Sequence, residues 1–122
     1  MLTIHTDRVG DIAIIECSGR LVQSNSAFAL RDAVMIHDDA RVILLDLSSV
    51  TSVEGGGLGM LMFLERWAYD HDISFKLFNP TRSVKERLDL ANSIPDFEVA
   101  TADEVRALLS RNFGLTSVTS TM

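Results

Sequence analysis

Apolar residues recur along this chain at two spacings, and the switches between them mark out its elements. Leu2 and Ile4 alternate with Thr3 and His5, and the apolar run in residues 11–17 follows a turn at Arg8-Val9-Gly10-Asp11. Together they predict an opening antiparallel hairpin. Ser24, Asn25 and Ser26 offer side-chain acceptors to exposed helix amides, after which Ala27, Leu30 and Val34 fall on one helical face. Val42, Ile43, Leu44 and Leu45 run without alternation up to Asp46, as expected of a central strand covered on both sides.

From Gly57 to about Asp70 helical spacing returns, with Met60, Leu61, Leu64, Trp67 and Ala68 forming a stripe that should face the sheet. Ile73, Phe75 and Leu77 then alternate with Ser74, Lys76 and Phe78 as far as the Asn79-Pro80 breaker. Thr81 caps a further helix, residues 97–100 suit a short edge strand, and Thr101 with Glu104 forms a capping-box pattern ahead of a last helix. Strand, strand, helix and then alternating strands and helices predict an α/β fold. Its sheet is mixed, with four to five strands, a hairpin start and about four covering helices. One domain is expected over residues 1–111, with a loosely ordered tail rich in Ser and Thr over 112–122.

Composition narrows the function. With 122 residues, 47% of them hydrophobic, the chain fits a single domain with a real core. No apolar run approaches the roughly 20 residues needed to cross a bilayer. The opening residues also lack the basic and apolar segments of a signal peptide, so a cytoplasmic protein without direct membrane insertion is expected. A net charge of −6 opposes the phosphate attraction on which nucleic-acid binding depends, whereas it is compatible with a protein partner. The lone Cys17, set in an apolar run, reads as a buried thiol rather than a nucleophile.

Three consecutive glycines, Gly55, Gly56 and Gly57, stand ahead of the second helix and raise the idea of a phosphate cradle. No P-loop Lys and Ser or Thr follow them, and a Gly-x-Gly-x-x-Gly pattern fails at Met60. His5, His37 and His71 have no neighbouring ligands at metal-binding spacing, so no metal or cofactor is expected. Asp38-Asp39 and Asp70-His71-Asp72 fall where helices end and solvated turns begin, and no Gly-x-Ser-x-Gly elbow occurs. Nothing assembles an acid, a base and a nucleophile, so the chain does not read as an enzyme.

The stretch Asp46-Leu47-Ser48-Ser49-Val50, followed by Glu54-Gly55-Gly56-Gly57-Leu58-Gly59, resembles the hallmark of the STAS domain. That family is shared by bacterial anti-sigma-factor antagonists and the cytoplasmic ends of sulphate transporters. Its pattern is a strand ending in Asp-Leu-Ser-x-Val and a turn into Asp-Ser-Ser-Gly-Leu-Gly at a helix start. Gly19 and Leu21 match the family's Gly-x-Leu turn, Ser24 to Ser26 open the first helix, and the resemblance spans residues 2–111.

The resemblance implies a non-enzymatic module that binds an anti-sigma factor, commonly a serine kinase, in a partner-switching pathway. Phosphorylation of the hallmark's second Ser would turn that binding off. Here the position is Gly56, Gly55 replaces the adjacent Ser, Glu54 keeps the acidic group on a longer arm, and Gly57 matches a family glycine. With no hydroxyl to modify, the chain should stay in its binding-competent form. An alternative reading is that Gly55 and Gly56 simply loosen the loop. The implied docking positions are Ser24, Asn25, Glu54, Gly55, Gly56 and Gly57. Leu58 and Met62 join them as apolar contacts, since with Glu65 and Tyr69 they share a helix face away from the core stripe. A rival role under the same resemblance is a subunit of a larger assembly, either stressosome-like or a lipid-transport ABC complex. A homodimer is compatible with either.

Overall fold

The computed structural model of the chain describes residues 2–22, 24–91 and 97–112. The expected loose tail lies outside the described residues except for Asn112, which ends the last helix. The elements are β1 (Leu2–Val9), β2 (Ile12–Leu21), α1 (Ser24–Met35), β3 (Val42–Val53), α2 (Gly56–Asp70), β4 (Ser74–Phe78), α3 (Arg82–Ala91), β5 (Val99–Ala100) and α4 (Ala102–Asn112). Their order is the one the hydrophobic pattern predicts.

The five strands lie side by side in chain order, with β1 antiparallel to β2 and every later neighbour parallel. A two-residue turn suffices for the antiparallel pair, whereas each parallel step needs a crossover, supplied in turn by α1, α2 and α3. Because strand side chains alternate, Ile43, Leu45 and Leu47 of β3 enter the main core with Ala13 and Ile15 of β2 and Phe75 and Leu77 of β4. Leu30 and Val34 of α1 and Leu61, Leu64, Trp67 and Ala68 of α2 close over them. The opposite face is apolar at one end only, where Ile12, Ile14, Val42 and Leu44 meet Val105, Leu108 and Leu109 of α4. That two-sided cover is why residues 42–45 read as an unbroken apolar run.

Two strands outrun their sequence signals. β2 continues through Gly19 to Leu21, with register shifts between Glu16 and Ser18 and between Gly19 and Arg20. The expected Gly-x-Leu turn is therefore the irregular end of a strand, and the shifts explain why simple alternation fails there. β3 likewise runs to Val53 through the polar residues Ser48, Ser49, Thr51 and Ser52. Their polarity fits a stretch that α4 does not cover. β5 is shorter than expected, two residues paired with Leu77 and Phe78.

The helix ends follow their capping signals. Thr101 N–H donates to Glu104 Oε1 at 2.9 Å and Glu104 N–H donates to Thr101 Oγ1 at 3.1 Å, a complete capping box. Val84 N–H donates to Thr81 Oγ1 at 3.3 Å.

Candidate functional site

Because β2 and β3 are parallel, α1 and α2 both begin at the same edge of the sheet, where the strands end. In open α/β sheets this edge is where loops gather into binding sites. The turn from β3 into α2 is tied to the end of β2: Glu54 N–H donates to the Leu21 carbonyl at 3.3 Å. Gly57 N–H donates back to the Glu54 carbonyl at 3.0 Å, closing a tight turn over residues 54–57.

The three glycines have three different surroundings. Gly55, the N-cap of α2, has φ 54° and ψ −123°. That is close to the first central position of a type II′ turn, a conformation in which any side chain is strained. At Gly57 a Cβ atom would lie 1.8 Å from the Leu21 carbonyl oxygen, so the close approach of β2 to α2 excludes a side chain. At Gly56 a Cβ would meet nothing within 4 Å. The fold thus excludes a side chain at 57, strains one at 55 and makes neither demand at 56. One backbone conformation, one backbone contact and two hydrogen bonds define the geometry of this turn.

The sequence-derived docking positions are distributed as follows. Glu54, Gly55, Gly56 and Asn25 are exposed, while Gly57 is buried against β2. A Cβ on Gly55 would lie 3.7 Å from the Val22 carbonyl oxygen, which brings the 54–57 turn beside the segment entering α1 at Ser24. Leu58 and Met62 are half-buried, and Leu58 packs against the main core. The outward pole of α2 is instead Gly59, Phe63, Arg66 and Asp70, all exposed. Phe63 is 48% exposed, and Phe28, one turn into α1, is 49% exposed. Neither ring stands out from the pattern alone. The available signal is their place opposite the buried stripes of amphipathic helices, where large apolar groups have no packing reason to be.

Several titratable groups take structural roles. His71 closes α2, with Nδ1 2.8 Å from the Trp67 carbonyl and its ring against the indole. Arg8 reaches from the β1–β2 hairpin to the loop after α1, donating to Asp39 at 3.1 Å and approaching His37 Nδ1 at 3.3 Å. The Arg8 hydrogen bond and charge hold the Asp39 carboxyl below its ordinary range, while burial and then Arg8 lower the His37 pKa. Cys17 is 2% exposed, and burial, reinforced by Asp46, pushes its thiol up to about 12, far from the thiolate a nucleophile needs. Among the described residues, no three His, Cys, Asp or Glu side chains group so as to hold a metal ion, and no helix is long and apolar enough to cross a membrane.

The STAS-domain family model matches residues 3–108, nearly the whole of this architecture. The chain belongs to the STAS family. The unphosphorylated form of the anti-sigma-factor antagonist SpoIIAA superposes with a TM-score of 0.71 at 16% identity, covering 92% of this chain and 97% of that one. An anti-sigma-factor antagonist from Mycobacterium paratuberculosis gives a TM-score of 0.69 at 18% identity, over 89% of this chain and 94% of the other. The structure of SLC26A9 contains the same fold as a part: 87% of this chain matches 21% of that one, with a TM-score of 0.64 at 15% identity. No curated protein matches the chain by sequence. At these identities the structural likeness speaks for the fold alone.

Proposed function

We propose that this STAS protein is a non-enzymatic, cytoplasmic binding module that acts as an anti-sigma-factor antagonist without the usual phosphorylation switch. The observation that carries the reading is Gly56: an exposed first residue of α2 with open space around it, glycine although nothing in the fold demands glycine. A phosphorylatable side chain would fit there without strain, and a phosphate would gain from the positive end of the α2 dipole. The bare position leaves residue 56 with no hydroxyl to carry a phosphate, so no charge can be added to the turn there. Docking on this reading uses Asn25, Glu54, Gly55 and Gly56, the start of α1 at Ser24 and the outer side of α2, with Phe63 and Met62 supplying apolar contact.

The experiment pairs this protein with its cognate anti-sigma kinase and ATP. The wild-type chain is expected to gain no phosphate in residues 54–59 and to keep binding. The Gly56→Ser variant should become phosphorylated and lose binding. Gly56→Asp, which plants a permanent charge at the interface, should weaken binding by about tenfold or more, roughly 1.4 kcal/mol, with native circular dichroism. Three upstream hydroxyls provide the counter-test. Ser49 and Thr51 are exposed, with Thr51 Oγ1 donating to the Gly19 carbonyl at 3.2 Å, whereas the Ser52 hydroxyl is enclosed. Stoichiometric phosphate on any of them that abolishes binding would overturn the proposal.

A further inference from the structure

Arg8 folds back over its own hairpin turn and reaches a second segment. Its Nε–H donates to the Gly10 carbonyl at 2.8 Å, in a turn that Gly10 closes with φ 58°. Its Nη1 serves two groups of the loop after α1, donating to Asp39 Oδ1 at 3.1 Å and lying 3.3 Å from His37 Nδ1. The backbone joins the same two segments, since the Arg41 and Val42 N–H groups both donate to the Asp11 carbonyl, at 2.8 and 3.2 Å. Side chains thus clasp a joint already made by main-chain hydrogen bonds. It stands where β2 and β3 begin, at the end of the sheet away from the 54–57 turn.

The Arg8 contact dictates the protonation of His37. A guanidinium only donates, so Nδ1 is the bare, accepting nitrogen and the ring proton sits on Nε2. Nε2 is enclosed and has no hydrogen-bond partner among the described residues. A second proton on the ring would go to Nδ1 and set two cations 3.3 Å apart. Burial, and then Arg8, accordingly lower the His37 pKa from the ordinary histidine value of 6.5, with Asp39 opposing them to a lesser degree. Asp39 itself stays ionised through that range, held low by the Arg8 hydrogen bond and charge. Of the other charged residues on the elements that meet here, Asp7 lies 3.8 Å from His5 and Arg31 is paired with Asp32 at 3.1 Å. Asp11, Asp38 and Arg41 are not among the groups that shift His37.

We infer that Arg8, His37 and Asp39 form an acid-opened clasp: neutral His37 holds the β1–β2 turn against the loop after α1, and its protonation turns the Arg8 contact from attraction to repulsion. The inference is independent of the docking reading above. Folding lowers the proton affinity of His37, so the unfolded chain takes up the proton first. The contribution of the clasp is complete above the ordinary histidine value of 6.5 and is lost as the pH falls through that of folded His37. The Asp39 carboxylate and the two bonds to the Asp11 carbonyl remain, so the joint loosens while the domain stays folded.

The test follows the full-length 15N-labelled protein from about pH 8 to about pH 4, the range in which a histidine gains its proton. The ring nitrogen signals of His37 report its tautomer and its midpoint, and amide exchange reports the joint. The Nε2–H tautomer is expected at high pH, with a midpoint below 6.5 that rises in Arg8→Gln. Protection of the Arg41 and Val42 N–H groups, corrected for the intrinsic pH dependence of exchange, should fall about two- to tenfold across that titration, the net worth of one hydrogen bond. Glu54 N–H, at the other end of the sheet, should keep its protection. His37→Asn offers an acceptor oxygen where Nδ1 stands and cannot be protonated, so it should abolish the fall, which also separates His37 from His5 and His71. An Nδ1–H tautomer at high pH, or a midpoint that Arg8→Gln leaves in place, would overturn the clasp. So would Arg41 and Val42 protection that ignores pH in the wild type or still falls in His37→Asn.

Discussion

Replacing the three glycines of the α2 turn one at a time by Ala should give three different stabilities, with Gly57→Ala the most damaging. A methyl group at Gly57 would stand 1.8 Å from the Leu21 carbonyl oxygen and 2.5 Å from its carbonyl carbon. Reaching even the 3.0 Å limit for such contacts requires the two backbones to part by about 1.2 Å, in an interior packed as densely as an organic crystal. Leu21 has no room to yield, because it is fully buried and its carbonyl also accepts the Glu54 N–H. Overpacking of this kind costs about 1–3 kcal/mol, and with backbone on both sides of the contact the upper half of that range is expected.

Gly55→Ala has space but must hold φ 54° and ψ −123°, a conformation costing about 1–3 kcal/mol for a residue with a Cβ. Gly56→Ala meets no neighbour and should fall within about 0.5 kcal/mol of wild type. Urea melts with a common m value would rank the three. If Gly57→Ala were as stable as Gly56→Ala, the close approach of β2 to α2 would be wrong. The claim that glycine at 56 is optional while glycine at 57 is obligatory would fall with it.

Two further outcomes test the core and the buried thiol. Leu45 and Leu64 are both fully buried, so truncating either to Ala should cost about 2–5 kcal/mol in the same melts, and near-zero losses would refute the assigned strand and helix faces. The Cys17 pKa is raised from 9.0 to about 12 on folding, so its contribution to stability is complete below pH 9 and is lost as the pH climbs towards 12. The urea midpoint should fall over that window, less steeply in Cys17→Ala, and a thiol reagent at pH 8 should label the protein only on unfolding.

Much of the fold was legible because its signals are local. Leu61, Leu64, Trp67 and Ala68 recur at helical spacing and are buried. Thr101 and Glu104 carry their own capping box, and Val42 to Leu45 announce a strand covered on both faces. What was not legible depends on tertiary contacts. The ends of β2 and β3 are held by parallel pairing across register shifts, which leave no alternation to read. Leu58 lies on the flank of the α2 stripe, where a 100° step per residue cannot tell a half-buried contact from an outward one, and the packed core claims it. The clasp of Arg8, His37 and Asp39 joins a hairpin turn to the loop after α1, segments that only the fold brings together.

The separation of roles among the glycines also bears on how a phosphate at this turn would act on the proposed reading. A phosphate on residue 56 would sit at the positive end of α2, where an anion is favoured by about 0.3–1 kcal/mol, and in a position that touches no packed atom. Its effect on the fold would therefore be neutral or slightly stabilising. On the proposed reading, phosphorylation there would act on the partner, by placing about two negative charges in the docking surface. On the same reading a chain with Gly56 keeps the geometry of the turn, to which Gly55 and Gly57 contribute independently, and gives up only the means of phosphorylating it. If Gly56→Ser is phosphorylated and loses its partner while its urea midpoint stays at or above that of the unmodified variant, the switch is electrostatic and not conformational. A lowered midpoint, with loss of the Glu54 to Leu21 hydrogen bond in amide exchange, would show that the phosphate acts by opening the turn.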